Sequence, residues 1–554
     1  MVDAVGTTQY TYYAGGLLQS EDGPWSSDTV TYAYNTARLR SSLSLQQPTG
    51  TWTNGFTWDA AVRLSTASSP AGTFAYSYRD SQPSTLIKKL SLPNTSYITN
   101  TYDSVARLTG TYLDNSSNTI LDKSEYLYNA GNQRIRQTRS DGSYYTNNYD
   151  NIGQLVWADS TVASEDRGYL YDAAWNLNNL TNSAGTTTFS VNSKNELTNI
   201  ASYYTLSCAY DDNGNLSTRD YDYIGPRSYY YTYDTENQLT AMATDTNNTP
   251  TDSRWKTEFT YDGRGRLRKR IEYTWLDPYG WYGGVETRYV YDGRRVIQER
   301  DSSNTPAVSY TRGSDLSGSP EGAGGIGGLL ARSDGYSSGS WTSHNYYHAD
   351  GNGNITYMVN SSQSMVATYR YDPFGNSISQ SGSLAGANVY RFSSKAIHVK
   401  SGMYYYGYRW YDPNLQRWLN RNPLGEQGDL NLYRFAGNQS VNAIDAWGHA
   451  WWLPPIAFCV KPPEPCPDAW LAGNSDYYVS GHIYDVKARR ICPVYSKKSD
   501  RGGGKGTPPP APTPKPPPPL PPCSAEKSYA DCFACMTGRR ATTAEAARYC
   551  DKYF

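Results

Sequence analysis

The chain has 554 residues with 50 basic and 51 acidic side chains, so no global field recruits nucleic acid or an anionic membrane. Only 38% of the residues are hydrophobic, and 53 Tyr stand against 10 Phe. That balance leaves a conventional Leu/Ile/Val core thin and favours extended β-surface in which Tyr packs its ring and leaves its hydroxyl solvated.

The first residues, MVDAVGTTQYTYY, carry neither a basic stretch nor an apolar one, so no secretion signal is visible. Export is then expected by another route, or from a start lying further upstream. No run of about 18 apolar residues follows, and no membrane span is expected.

From residue 32 onward one phrase recurs: alternating aromatics, then Tyr, then Asp or Asn, a small or polar pair, and finally Leu or Ile. Instances are YAYNTARL at 32–39, TYDSVARL at 101–108, NYDNIGQL at 148–155, AYDDNGNL at 209–216 and FTYDGRGRL at 259–267. Their spacing of roughly 20 to 28 residues marks a repeat architecture. Each unit reads as a hairpin: the aromatics form a strand, the Asx turn reverses the chain, and the Leu opens the return strand. One hairpin cannot bury its own face, so the units are expected to stack into a continuous sheet.

Three further segments extend the pattern: RGSDLSGSPEGAGGIGGLLA at 312–331, YRYDPFGN at 369–376, and RFSSKAIHVKSGMYYYGYRWYDPNLQRWLNRNPLG at 391–425. Together with the YD phrases they resemble the RHS and teneurin-type YD-repeat family, a family of bacterial polymorphic toxins and related surface proteins. The resemblance covers about residues 10–449. It implies a mostly β fold, a spiralling antiparallel shell of YD hairpins over 1–390, closed by an RHS repeat-associated core over 391–449.

Two phrases inside the repeats invite other readings. GAGGIG, from Gly322 to Gly327, fits a dinucleotide pattern, but no apolar strand precedes it and no βαβ units surround it, so a packed loop is expected and no cofactor. His344 and His348 have helical metal-pair spacing in a hairpin context, where surface or cross-strand positions are expected and no metal.

At the end of the core, NPLG at 422–425 and DAWG at 445–448 are imperfect copies of one phrase. In the resembled family the core ends in two DPxG motifs whose aspartates, with an upstream arginine, form an intramolecular aspartic protease that frees the C-terminal tail. Arg409 matches the arginine and Asp445 the second aspartate; the first falls on Asn422, and the scissile bond would follow His449. A carboxylate pair divides acid and base work between its members, and an amide has no titratable proton for either task. The expectation is therefore a degenerate centre with turn residues in a structural role and no enzyme activity; surviving self-cleavage is the alternative.

After His449 the composition changes: residues 450–554 hold 14 Lys/Arg against 9 Asp/Glu and seven of the eight Cys. Residues 450–506 read as a variable region, 507–522 as a proline-rich spacer and 523–554 as a Cys-containing helical hairpin. Cys523, Cys532, Cys535 and Cys550 suit two disulfides or a four-thiolate zinc site; disulfides are favoured because a second CxxC is missing.

The function implied by the resemblance is a scaffold that encloses or displays a variable tail in cell–cell interaction or interbacterial competition, secreted or on the cell surface. Implied partners are a target-cell surface, carbohydrate or protein, and an N-terminal shell or secretion component; the shell itself is not expected to bind nucleic acid. The alternatives are a non-enzymatic adhesion protein that binds carbohydrate or protein, and a truncated remnant without effector activity.

Overall fold

The structure, a computed structural model, describes residues 1–79, 84–221, 228–247, 249–449, 451–452, 477–485 and 490–497. The chain divides into two units, Met1–Val460 and Lys461–Phe554. In the second, the strands Tyr477–Asp485 and Arg490–Lys497 pair antiparallel. The four cysteines Cys523, Cys532, Cys535 and Cys550, the proline-rich spacer and the helical hairpin expected over 523–554 lie outside the described residues.

The first unit is mostly β. Its main sheet runs as one ladder from the strand Gln9–Tyr12 to the strand Ser377–Ser381, each strand paired antiparallel with its sequence neighbours. Hairpin turns therefore alternate between two edges of the sheet, and the YD phrases fall on one of them.

The YD turn has a fixed construction. At Asp103 the side-chain Oδ1 accepts the backbone N–H groups of Val105 (3.1 Å) and Arg107 (2.9 Å), while the residue between them, Ala106, has φ +69°. A register shift follows at Thr101/Tyr102, the bulge that a three-residue hairpin loop requires. The same bonds recur at Asp150, Asp172, Asp211, Asp234, Asp262 and Asp372. The left-handed position is filled by Gly153, Gly214 and Gly265, but also by Asn132, Asn195 and Asn237, residues that tolerate positive φ.

Tyr and Leu of the phrase have matching duties. The Leu that opens the return strand is buried in most units: Leu64, Leu155, Leu197, Leu216, Leu239 and Leu267 are all at most 5% exposed, while Leu39, Leu108 and Leu177 are half-buried. The Tyr before the turn reaches back one unit and donates its hydroxyl to the carbonyl of the preceding Leu: Tyr78 to Leu64 (2.7 Å), Tyr128 to Leu108 (2.7 Å), Tyr171 to Leu155 (2.9 Å) and Tyr261 to Leu239 (2.9 Å). This corrects the expectation of solvated hydroxyls. The hydroxyls satisfy carbonyls beside the bulges, which explains why Tyr is used where Phe would pack equally well.

The ladder also winds back on itself. Arg40 meets Asp292 at 2.7 Å, Tyr346 Oη donates to Ala71 O at 3.0 Å, Asn94 Nδ2 to Asn360 O at 2.8 Å, and Arg370 pairs with Asp141 at 2.9 Å. These contacts join residues 229 to 275 positions apart. His348 is a cross-strand residue, opposite Tyr357, yet it is not on the surface: it is 1% exposed and held by Asp122 (Nδ1···Oδ2 2.9 Å) and Thr111 (Nε2···Oγ1 3.2 Å). Among the described residues no group of His, Cys, Asp and Glu is arranged to hold a metal ion.

The glycine-rich segment 313–328 takes the place of one YD turn, between the strands Pro306–Arg312 and Leu329–Ser337. It is tightly packed, with Ala323 and Ile326 fully buried, and Asp315 Oδ2 accepts the N–H groups of Ala323 (2.7 Å) and Gly325 (3.0 Å).

Residues 391–449 run along the YD edge. Their strands are short, Ala396–His398, Met403–Tyr405, Trp410–Asp412 and Arg417–Trp418, and their side chains bond to successive YD turns. Tyr433 Oη donates to Gly214 O (2.8 Å), Asn420 Nδ2 to Asn237 O (3.0 Å), Asn431 Nδ2 to Ala174 O (2.8 Å) and Asn438 Nδ2 to Trp175 O (2.9 Å). An aromatic stack of Tyr411 and Phe435, with ring centroids 3.8 Å apart, joins this segment to Tyr169 and Phe374 of the sheet in one core. The body's last turns thus fix the backbone that carries Arg409, Asn422 and Asp445.

Candidate functional site

The two related phrases are both turns, and they meet. In NPLG, Asn422 Oδ1 accepts Leu424 N–H at 3.0 Å, an Asx turn that leaves the amide nitrogen free to point away. Nδ2 donates to the carbonyl oxygen of His449 at 2.9 Å. That carbonyl belongs to the bond at which the resemblance places cleavage. Gly428 closes over the contact, since a Cβ there would lie 2.6 Å from His449 O and still nearer Asn422 Nδ2.

In DAWG, Asp445 Oδ1 accepts three backbone N–H groups, from Trp447 (3.2 Å), Gly448 (2.7 Å) and His449 (3.2 Å). Its Oδ2 lies 3.8 Å from Arg409 Nη2, and both side chains are 2% exposed. Arg409 also donates Nε–H to Gly448 O and Nη1 to Leu432 O (2.9 Å), and its guanidinium lies over the Trp418 ring. Burial pushes Arg409 down to about 9, with Asp445 and Asp429 opposing. It remains the cation of the site at neutral pH.

All three residues carried over from the resemblance therefore surround one backbone segment, 446–449. The chain beyond it doubles back, with Asp445 paired to Trp451 and Ile444 to Trp452. Trp451 donates Nε1–H to Asp429 Oδ2 at 3.1 Å, and Asp429 is itself held by Arg434 at 2.8 Å. Ala450, on the far side of the expected bond, is outside the described residues.

Two contributors carry no signal in the sequence reading. Lys395 is 5% exposed and donates Nζ to Ala446 O (2.6 Å) and to Gly324 O (2.9 Å), tying the DAWG turn to the glycine-rich segment. Burial pushes its amine down to about 7, against the pull of Asp445. Asp429 anchors Trp451. A lone Lys in SSKAIH and a lone Asp in QGDLN have no spacing that would mark them; only the fold brings them to the turn.

Chemically, the site holds a carbonyl with a hydrogen-bond donor on it, the Asp445 carboxylate and two buried basic groups, Arg409 and Lys395. Asn422 polarises the His449 carbonyl as a protonated acid would, but it has no proton to give. Asp445 is the carboxylate on this turn, and Asn422, at the position where the resemblance expects a second one, is an amide. His449 is held below its ordinary imidazole range by burial and stacks near Tyr408 at 4.7 Å.

No protein-family model matches the chain. The chain is similar to the tRNA3(Ser)-specific nuclease WapA of Bacillus spizizenii, 27% identical over 337 residues, an alignment covering 59% of this chain and 12% of that protein. It is 25% identical over 319 residues to double-stranded DNA deaminase toxin A of Burkholderia cenocepacia, covering 54% of this chain and 20% of that protein. Toxin subunit YenC2 of Yersinia entomophaga is 42% identical over 60 residues, 11% of this chain and 6% of the subunit. The chain thus spans a small part of these relatives' length. Among solved structures, the crystal structure of TcdB2-TccC3-Cdc42 aligns with 80% of this chain and 27% of that one, at 16% identity and a TM-score of 0.37. By their names, the relatives are nucleases, toxins and toxin subunits.

Proposed function

We propose that the chain is an RHS-type polymorphic-toxin scaffold: a β-shell that carries the variable residues after 449 as cargo and, unlike a self-cleaving core, keeps them covalently attached. The observation that carries this reading is the hydrogen bond from Asn422 Nδ2 to His449 O at the border of body and tail. An amide in that place binds the carbonyl without being able to protonate it, so the centre becomes a latch. The names of the relatives support the toxin class, and the changed composition after His449 supports the cargo position. On this reading the protein acts outside the producing cell or on its surface, with other toxin components as partners. Among the described residues no helix is long and apolar enough to cross a membrane.

Intact-mass measurement tests the latch. The purified chain is expected as a single species of 61.7 kDa, and a released 105-residue fragment would overturn it. Expression of 450–554 alone tests the cargo: growth arrest is expected, and unaltered growth favours the second reading.

That second reading, a non-enzymatic surface protein that binds carbohydrate or protein, draws on one hairpin. The strands Leu267–Leu276 and Gly280–Asp292 include the longest of the sheet, and their tip exposes Tyr279 (80%) and Tyr282 (63%) beside an edge-to-face pair of Trp275 and Trp281. Exposed rings with hydroxyl tips suit stacking on sugars or peptide.

A further inference from the structure

Behind the DAWG turn lies a cavity of about 70 Å³ whose wall is unusually cationic. Arg270, Arg294, Arg295, Arg312 and Lys395 line it, with Glu299 as the carboxylate among the lining residues. Glu299 is engaged by Tyr310, whose hydroxyl donates to Oε1 at 2.8 Å. Buried charges are ordinarily paired, because an uncompensated one in a dry site is costly. Here two are not. Arg312 (8% exposed) and Lys395 (5% exposed) have no carboxylate within 4.0 Å among the described residues. Arg312 donates Nε–H to Val296 O at 2.8 Å and stacks on Tyr390, and Lys395 donates to the carbonyls of Ala446 and Gly324 and lies over the Tyr406 and Trp447 rings. Arg295, 6% exposed, is by contrast already paired: Nη2 with Asp292, Nη1 donating to Pro320 O at 2.8 Å, and Nε 3.8 Å from Glu321 Oε2.

A pair of glycines packs against these two cations. A Cβ on Gly324 would collide with the Ala446 carbonyl oxygen and lie 2.9 Å from Lys395 Nζ; one on Gly325 would lie 3.6 Å from Arg312 Nη1. Both glycines have positive φ, 65° and 77°, a bend that other residues would resist. The cavity itself is small but sufficient. At roughly 10–15 Å³ for each water-sized position, the cavity holds about five such positions, the heavy-atom count of a tetrahedral oxyanion.

We propose that this cavity is a binding site for a free inorganic oxyanion, phosphate or sulfate, held by Arg312 and Lys395. A planar guanidinium and an ammonium are the usual donors for such an ion, the first through a fork and the second as a point charge. Burial pushes the Lys395 amine down to about 7, with Asp445 opposing and Arg312 adding to the shift, so a second negative charge in the cavity would favour its protonated form. Because Lys395 also holds Ala446 O, the ion would brace the turn that presents His449, whether or not the tail is ever released.

The test is titration of the full chain with sodium phosphate and, separately, sodium sulfate in a zwitterionic buffer, at ionic strength held constant with sodium chloride. Calorimetry and the thermal unfolding midpoint are read together. Saturable one-site binding with a rising midpoint is expected for at least one of the two ions, and Arg312→Gln and Lys395→Met should each weaken it about tenfold or more. If phosphate and sulfate act no differently from chloride on the native chain, the site does not exist; this holds even if both variants fail to fold. Folded variants that bind as tightly as the native chain would equally overturn it.

Discussion

Between residues 9 and 381 the chain repeats one hairpin, whereas between 391 and 449 no strand exceeds three residues among those described. In the first region every bond has counterparts: a Tyr hydroxyl on a Leu carbonyl, an Asp on two N–H groups, a Leu in the core. In the second each bond is made once. Asn431 and Asn438 read one turn and Tyr433 another, and Asn422, Asp445 and Arg409 share one segment. The difference teaches where stability and chemistry are placed. Redundant contacts spread the cost of any single loss over a long ladder, while unique contacts can hold a reactive geometry but lose it to one substitution.

The sharpest way to break that contrast is to give the core back a carboxylate. Asn422→Asp places an acid against the His449 carbonyl with Asp445 and Arg409 already buried nearby. Scission after His449 is expected, with the 105-residue fragment seen by intact mass and abolished again in Asn422→Asp/Asp445→Asn. An uncleaved Asn422→Asp chain would mean that Ala446, in place of the resembled family's proline, or some other change has also cost the geometry.

A large loss of stability is expected next from Asp445→Ala. The substitution frees three N–H groups and leaves Arg409 buried without its nearest carboxylate. Removal of one partner of a buried pair costs about 3–5 kcal/mol. Denaturant unfolding of the full chain measures it, and a loss below about 1 kcal/mol would place Arg409 in water instead.

Much of the repetitive region was legible in the sequence, because its signals are local. The Asx turn, the left-handed residue and the buried Leu all lie within nine residues of one another, and spacing repeated along the chain amplifies them. What the Tyr hydroxyl does was not legible, since its partner, the Leu carbonyl of the preceding unit, is bonded through the sheet; the composition, 53 Tyr to 10 Phe, carried the hint. In the core, Arg409, Asn422 and Asp445 were placed by resemblance, and the structure brings them together. Lys395 and Asp429 were invisible, because nothing in their neighbourhood repeats and their partners lie 51 and 22 residues away.

Lys395 allows a test by pH. Its folded amine sits at about 7 and its ordinary value is 10.5, so between those two values the unfolded chain binds a proton that the folded chain does not. Stability from this group therefore rises with pH from about 7 to about 10.5, at no more than about 1.4 kcal/mol per pH unit; below 7 both states are charged and the burial cost is borne in full. Tyrosines common to both proteins cancel in a difference, so unfolding of the native chain and of Lys395→Met is compared from pH 7 to 9 in buffer free of phosphate and sulfate. A flatter profile for the variant is expected. Parallel profiles would mean that the amine is charged throughout and already has a counter-ion.

The smallest effect is expected in the repeated region. Tyr78→Phe keeps the ring and the stack of the Arg63 guanidinium over it, and removes only the hydroxyl that donates to Leu64 O at 2.7 Å. A hydrogen bond of this kind is worth about 1 kcal/mol net, and the carbonyl left behind is beside a bulge, where water can reach it less easily than at a free strand end. A loss near 1 kcal/mol is expected from Tyr78→Phe, and a similar one from Tyr171→Phe, with the double variant additive because the two hydroxyls share no partner. Additivity is the property that separates this region from the core, where removing Asp445 and Arg409 together should cost less than the sum of their separate losses. If the two Tyr variants prove strongly non-additive, the ladder is not a row of equivalent units, and the repeated phrase hides a hierarchy among its turns.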